Sequence, residues 1–106
     1  SGRADAFVMD GQILAGNISK SKAPADYKIV GVLAVEPIAI MLRKDDPEFK
    51  KLVDGTISRL MKTGEFSRLY SKWFESPIPP KGMNLNMPMS AQLKENLTQQ
   101  SDKPAQ

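Results

Sequence analysis

One apolar run, residues 29–42, limits the fold of this chain more than any other part of its sequence. It is dense in Val, Ile and Leu and is interrupted at Glu36-Pro37. The run is shorter than the roughly 20 residues that a membrane-spanning helix needs. Because β-branched residues favour strands and proline cannot donate to a β-ladder, the sequence predicts two buried strands, residues 27–35 and 38–42, with a bend between them.

The clearest helix signal follows directly after this run. Asp45 or Asp46 is a suitable N-cap, and Pro47 suits the first turn because its missing N–H would have no intrahelical partner. Gly64, which follows the basic Lys62, predicts the end of the helix. The apolar residues between these limits share one helical face. They are Phe49, Leu52, Val53, Ile57, Leu60 and Met61.

Shorter patterns complete the predicted order of elements. Residues 3–9 predict a strand, and residues 11–20 predict a short helix with Asp10 as a candidate N-cap. Residues 66–73 repeat the helical spacing, so they predict a second helix after Gly64. Strands alternate with helices in this order, which predicts the α/β class with three or four strands and three to four helices.

The last thirty residues differ in composition from the rest. Ser90 is a suitable cap for a short helix that carries Leu93 and Leu97. From Thr98 onward the residues are Gln, Ser, Asp, Lys, Pro and Ala. Such residues bury too little apolar area to offset the entropy of ordering, so a frayed end is predicted.

The composition excludes several classes of site. The 106 residues include no Cys and no His, so thiolate nucleophiles, disulfides, the usual general base and the usual metal ligands are all missing. No metal or cofactor is expected, and no phosphate-binding loop or nucleophile elbow is present. The net charge of +3 is spread along the chain without a basic block, so nucleic acid is not an expected partner.

Asp10 is the first candidate binding residue. It lies where an apolar segment ends and a glycine follows, and in open α/β sheets ligands bind beyond the carboxyl ends of strands. A carboxylate at this position can accept hydrogen bonds from a ligand ammonium group. The alternative interpretation is that Asp10 only caps the helix over residues 11–20. The residues alone leave both interpretations open.

Two other groups of residues are better explained by structure than by chemistry. The adjacent acids Asp45 and Asp46 fit capping, since a general acid and base need convergent geometry and shifted pKa values. The aromatic stripe of Phe66, Tyr70 and Trp73 is able to stack on a ligand, but such a stripe more often forms a core.

Four segments in order resemble the C-terminal part of periplasmic amino-acid-binding proteins of ABC importers, within that family most closely the glutamate/aspartate binders. They are GRADAFVMD (2–10), IAIMLRKDDPEFKKLVD (38–54), KTGEFSRLYSKWF (62–74) and PIPPKGMNLN (77–86). The likeness covers almost the whole chain, but less than half of such a protein.

The resemblance implies part of a type II, two-lobed "Venus flytrap" fold. Residues 1–36 would belong to the second lobe and residues 37–75 to the crossover strand and the helices of the first lobe. Residues 76–106 would form a C-terminal tail with a short helix and a frayed end. Apolar faces would then lack their cover, and dimerisation or strand exchange with a second copy is expected to restore it.

In this family the Asp that ends the DAFVMD motif receives the α-ammonium group of the ligand, which here is Asp10. The Arg that clamps the α-carboxylate, and the groups that recognise the acidic side chain, lie in regions that precede Ser1. The resemblance therefore implies half of a binding site, and the chain alone is expected to bind amino acids weakly or not at all.

The resemblance implies a non-enzymatic, periplasmic receptor that presents its amino acid to the membrane permease of an ABC importer. Two alternatives share the fold: a periplasmic ligand-sensing domain whose output is signalling, and an enzyme. The enzyme would need an acid/base group that the sequence does not offer.

Overall fold

Residues 2–103 are described by a computed structural model, and within them four α-helices form. They are α1 (Gly11–Lys20), α2 (Pro47–Lys62), α3 (Glu65–Phe74) and α4 (Ala91–Gln99), with a short 3₁₀-helix at Pro24–Asp26. The four helices agree with the predicted three to four. None of the described helices combines the length and the apolar character that crossing a membrane requires.

The pair α2 and α3 begins and ends where the sequence predicts. The Asp46 side chain accepts a hydrogen bond of 3.1 Å from the Phe49 N–H, and Pro47 occupies the first turn. Gly64 separates the two helices with a left-handed φ of 78°. Because only glycine adopts this φ without strain, the residue allows α3 to start with only two residues between it and the end of α2.

The two glycines of this helix pair predict opposite effects of the same substitution. Gly55→Ala is expected to raise the free energy of unfolding by about 0.5–1 kcal/mol, because the residue is inside α2 and a Cβ there meets no atom within 4 Å. Gly64→Ala is expected to lower it by about 1 kcal/mol, because its φ is positive. Urea unfolding of both variants checks this, and stabilisation by Gly64→Ala would contradict it.

The predicted strands do not form within the described residues. Residues 3–9, 27–35 and 38–42 contain no ladder, and one isolated antiparallel bridge, between Ile78 and Met83, is the extent of β-pairing there. The α/β class and the strand count are therefore not confirmed. The physical reason is that a strand is stabilised by the backbone and side chains of its neighbours, and these segments have no neighbouring strand.

The apolar side chains of these segments are correspondingly exposed. Val30 is 90% exposed, Ile38 85% and Met41 96%, and the only buried hydrophobic residues among those described are Ala15 and Tyr70. The radius of gyration is 16.8 Å, against about 13 Å for a closed domain of this length. The helices are thus formed, while the apolar run stays outside any core.

The best-packed part of the chain surrounds Tyr70 of α3. The Tyr70 ring lies 4.6 Å from the Phe74 ring, centroid to centroid, and its hydroxyl donates a hydrogen bond of 3.1 Å to the Met87 carbonyl. The Met87 N–H in turn donates to the Phe74 carbonyl at 2.9 Å. The Asn84 side chain donates to the Glu75 carbonyl at 2.9 Å. Residues 84–87 are therefore fixed against the end of α3.

The tail forms its predicted helix, which contacts α2, and a long-range ion pair. The Ser90 hydroxyl accepts a hydrogen bond of 3.1 Å from the Leu93 N–H at the start of α4. Beyond α4, Asp102 pairs with Lys50 of α2 at 2.8 Å. The predicted frayed end covers residues 98–106, of which 104–106 lie outside the described residues.

Candidate functional site

Asp10 lies at the N-cap position of α1, where the sequence places it. Its carbonyl accepts a hydrogen bond of 3.0 Å from the Leu14 N–H. Its side chain makes no capping hydrogen bond and is exposed. An ionised carboxylate at a helix N-terminus is stabilised by the helix dipole. Since the helix does not use the carboxylate oxygens, they remain available to accept hydrogen bonds from a cationic ligand group.

The start of α1, at the residue after Asp10, lies close to the packed unit around Tyr70. A Cβ on Gly11 would lie 2.9 Å from Met87 Cε, so the missing side chain permits the close approach. Met87 is itself held at its carbonyl by Tyr70 and at its N–H by Phe74. The residue after Asp10 thus lies beside a segment that is held against α3.

A shallow groove lies beside α1, next to this contact. Its volume is about 450 Å³, and it is open to solvent. Side chains from α1, from residues 24–29 and from residues 83–86 line it. Its residues with polar side-chain groups are Ser19, Tyr27, Lys28, Asn84 and Asn86. Asp10 does not line this groove, so the described residues do not enclose a ligand around the Asp10 carboxylate.

The residues of the aromatic stripe differ in burial. Tyr70 is 8% exposed and belongs to the packed unit, in agreement with the core interpretation, whereas Trp73 is 45% exposed. The Lys72 ammonium lies 5.2 Å from the centre of the Trp73 ring. Burial raises the pKa of the Tyr70 hydroxyl, and the nearby Glu75 carboxylate adds to this effect. Tyr70 therefore stays neutral at physiological pH and acts as a hydrogen-bond donor.

The ion pairs among the described residues are structural contacts on the surface. Lys50 donates to Asp102 and to Asp54, at 2.8 Å and 2.6 Å, and a third pair joins Arg68 to Glu65. The hydrogen bonds that Lys50 donates to Asp102 and Asp54 raise the pKa of Lys50, and the bond that Asp102 accepts from Lys50 lowers the pKa of Asp102. All of these groups are substantially exposed, so the pairs contribute little to stability.

The sequence predicts Asp10 as a site residue, but it gives no prediction for Met87. Methionines in the tail indicate packing in general, but the sequence does not show which residue each of them contacts. The one local signal is the glycine after Asp10, which marks a place where another part of the chain is able to approach closely. Among residues 2–103, His, Cys, Asp and Glu side chains do not gather in any group of three or more that is able to hold a metal ion.

Comparison with known proteins gives the family. The model of "Bacterial extracellular solute-binding proteins, family 3" matches residues 4–76. The chain is 46% identical over 104 residues to the "Glutamate/aspartate import solute-binding protein" of Escherichia coli K12, covering 97% of this chain and 34% of that protein. The protein of the same name from Salmonella typhimurium LT2 gives the same identity and coverage.

A Pseudomonas aeruginosa PAO1 relative, the "L-glutamate/L-aspartate-binding protein", is 46% identical over 107 residues, which cover 100% of this chain and 35% of the relative. The chain thus spans about a third of the length of the curated relatives it matches. The matched family consists of binding proteins, and the family model covers more than half of the chain. This chain belongs to family 3 of the bacterial extracellular solute-binding proteins.

Proposed function

We propose that this chain is part of a periplasmic solute-binding protein that binds glutamate or aspartate and delivers it to the membrane permease of an ABC importer. Support comes from relatives named for glutamate/aspartate binding or import, each 46% identical to nearly the whole chain. In this function the protein binds and releases its solute unchanged, and closure around the ligand shifts an open-to-closed equilibrium.

The observation that carries the proposal is that the Asp10 carboxylate is exposed and free of capping hydrogen bonds. It lies at the N-terminus of α1. The α-ammonium group of an amino acid offers three N–H donors, and a carboxylate accepts them in short, charge-assisted hydrogen bonds. Asp10 is the residue that we assign to the α-ammonium group.

The rest of the site is proposed to come from the part of the relatives' length that this chain does not span. An amino-acid ligand carries an α-carboxylate, for which a bidentate Arg is the usual partner. A ligand with a second, side-chain carboxylate needs further donors. The isolated chain is therefore expected to bind glutamate and aspartate weakly or not at all.

The finer division of the fold belongs to the same proposal. Residues 1–36 form part of the second lobe, residues 37–75 form the crossover strand and helices of the first lobe, and residues 76–106 form the tail. The strands predicted over residues 27–35 and 38–42 form when neighbouring strands are present, which restores the α/β class. The exposed apolar side chains of these residues support this interpretation, since such a surface is stable only when covered.

A chimera tests the function. Residues 1–106 of this chain replace the matching third of the Escherichia coli relative, and isothermal titration calorimetry measures glutamate and aspartate binding. We expect affinities within roughly tenfold of the unmodified relative. Thermal unfolding and circular dichroism establish that the chimera is folded.

The isolated chain is the matched control for this experiment, and we expect it to give no binding heat at the same concentrations. A folded chimera that binds neither amino acid would contradict the proposed ligand. Equal affinities of the isolated chain and the chimera would contradict the proposal that this chain holds half of the site.

A further inference from the structure

Residues 83–87 are tied to the end of α3 by the hydrogen bonds described above, two at the backbone of Met87 and one at the side chain of Asn84. A further bond of 2.8 Å, from the Asn86 N–H to the Asn84 side-chain oxygen, fixes the turn between them. Because these bonds have directional geometry, the segment and the end of α3 form one unit.

The same segment lies beside α1. Its first four residues line one groove together with Ala15 and Ile18 of α1. At its other end, Met87 Cε lies 2.9 Å from the position of a Cβ on Gly11. Gly11, Ala15 and Ile18 are less exposed than most of α1 and share one helical face. This face of α1 is therefore the one that is next to residues 83–87.

The attachments on the two sides of the segment differ in kind. No hydrogen bond between described residues joins α1 to residues 83–87. The side chains on the α1 side include Met83 and Met87, and methionine is unbranched and adapts to changing neighbours. The segment is thus held by hydrogen bonds at α3 and by packing at α1.

We propose that residues 83–87 are a connection between the two lobes, additional to the crossover strands, which is fixed to the first lobe and slides on the second. Met87 is its positioning residue. The inference rests on the proposed function, in which α3 belongs to the first lobe and α1 to the second. Small sliding of packed elements is a known type of domain closure, and an apolar contact without hydrogen bonds permits it.

Such a connection affects the free energy of closure around a ligand. It restricts how far the ligand-free lobes separate, so closure loses less conformational freedom. Without it, the fraction of the ligand-free protein that is competent to bind falls, and the apparent dissociation constant rises. Because no residue of the segment is assigned to the ligand, the factor is the same for glutamate and aspartate.

Met87→Ala in the chimera tests the connection. The substitution removes the side chain that reaches α1 and keeps both hydrogen bonds to α3, since these use the Met87 backbone. Amide hydrogen exchange, measured by mass spectrometry without ligand, reports the protection of each helix. We expect exchange in α1 to be roughly tenfold faster and exchange in α3 to be unchanged.

Met89→Ala is the matched control, because Met89 is two residues further along the tail and does not line the groove. It is expected to leave exchange in both helices unchanged. Unchanged exchange in α1 of Met87→Ala would overturn the connection. Equal acceleration in α1 and α3 would also overturn it, because the substitution would then act on the packed unit around Tyr70. These measurements need no ligand, so they decide the inference even if the chimera binds neither amino acid.

Small-angle X-ray scattering and calorimetry test the effect on closure. The ligand-free Met87→Ala chimera is expected to have a larger radius of gyration than the unmodified chimera, and the two are expected to agree when saturated with glutamate. The dissociation constants for glutamate and aspartate are expected to rise by the same factor, roughly three- to tenfold. An unchanged radius of gyration, or weaker binding of one amino acid alone, would overturn the effect on closure.

A pair of double variants tests whether Met87 meets the start of α1. In the Met87→Ala background, Gly11→Leu places a side chain in the space that the methionine leaves. Gly16→Leu also replaces a glycine of α1, but at a position where a Cβ meets no atom within 4 Å. We expect Gly11→Leu to restore protection of α1 at least roughly threefold more than Gly16→Leu. Equal recovery would overturn the contact. Circular dichroism and thermal unfolding establish that every variant is folded.

Discussion

Tyr70→Ala is expected to abolish the cooperative unfolding transition of this chain. Tyr70 is one of two buried hydrophobic residues among those described, and it joins α3 to residues 84–87. Replacing a buried aromatic side chain with Ala lowers the free energy of unfolding by about 3–5 kcal/mol. Because few other described side chains are buried, we expect this loss to remove most of the free energy of unfolding of the packed unit. Thermal unfolding followed by near-ultraviolet circular dichroism measures it.

Two further variants separate the contributions of Tyr70. Tyr27 is 61% exposed, so Tyr27→Ala removes the same side chain at an exposed position and is expected to change the free energy of unfolding by less than about 0.5 kcal/mol. Tyr70→Phe keeps the ring and removes the hydrogen bond to Met87, with an expected loss of about 1 kcal/mol. A Tyr70→Ala variant that unfolds like the wild type would contradict the assigned core.

Tyr70 also gives the chain a defined response to alkaline pH. Burial raises the pKa of its hydroxyl in the folded state. The unfolded state therefore ionises first, at a pH of about 10, and the stability that Tyr70 contributes is present below this pH and is lost as the pH rises through the folded pKa. Tyr70→Phe is expected to lose this alkaline component and to keep the remainder of the pH profile.

Asp10→Ala in the chimera is expected to weaken glutamate and aspartate binding by about 2 kcal/mol or more, roughly thirtyfold. The substitution leaves the ligand ammonium group in the closed site without its acceptor. Asp10→Asn, which keeps the shape and one acceptor oxygen but removes the charge, is expected to have an intermediate effect. Calorimetry with both amino acids gives the dissociation constants.

Asp5→Ala is the control for Asp10. It removes the same charge from the same exposed segment, five residues earlier, and is expected to leave the affinity unchanged. Because Asp10 makes no capping hydrogen bond, its replacement is also expected to change the thermal stability of the chimera only slightly. Unchanged affinity of Asp10→Ala would exclude Asp10 from the site.

The helices were predictable because their determinants are local. Asp46 caps a residue three positions away, and Gly64 ends α2 through its own backbone conformation. The strands over residues 27–35 and 38–42 were expected from composition, but their stability depends on other strands that the sequence pattern does not supply. A strand prediction is therefore a statement about partners as well as about the segment itself.

Prediction of the candidate site from the sequence is limited in the same way, because contacts between distant residues have no local signal. The position of Asp10 at the start of α1 followed from the Asp-Gly pair after an apolar segment. The contact between Gly11 and Met87 did not follow from the sequence, because no pattern near either residue indicates that it contacts the other. The exposed carboxylate of Asp10 likewise follows from the conformation at the cap and not from the residue type, since Asp at this position normally caps.

The contact between Gly11 and Met87 also predicts the order in which parts of the chain fold. It closes a loop of roughly three quarters of the chain, whereas α2 and α3 meet across the two residues Thr63 and Gly64. Contacts across short loops form earlier than those across long ones, so we expect the α2–α3 pair to form first during refolding. We therefore expect the start of α1, with Asp10, to meet Met87 late, after most of the helical signal has been recovered.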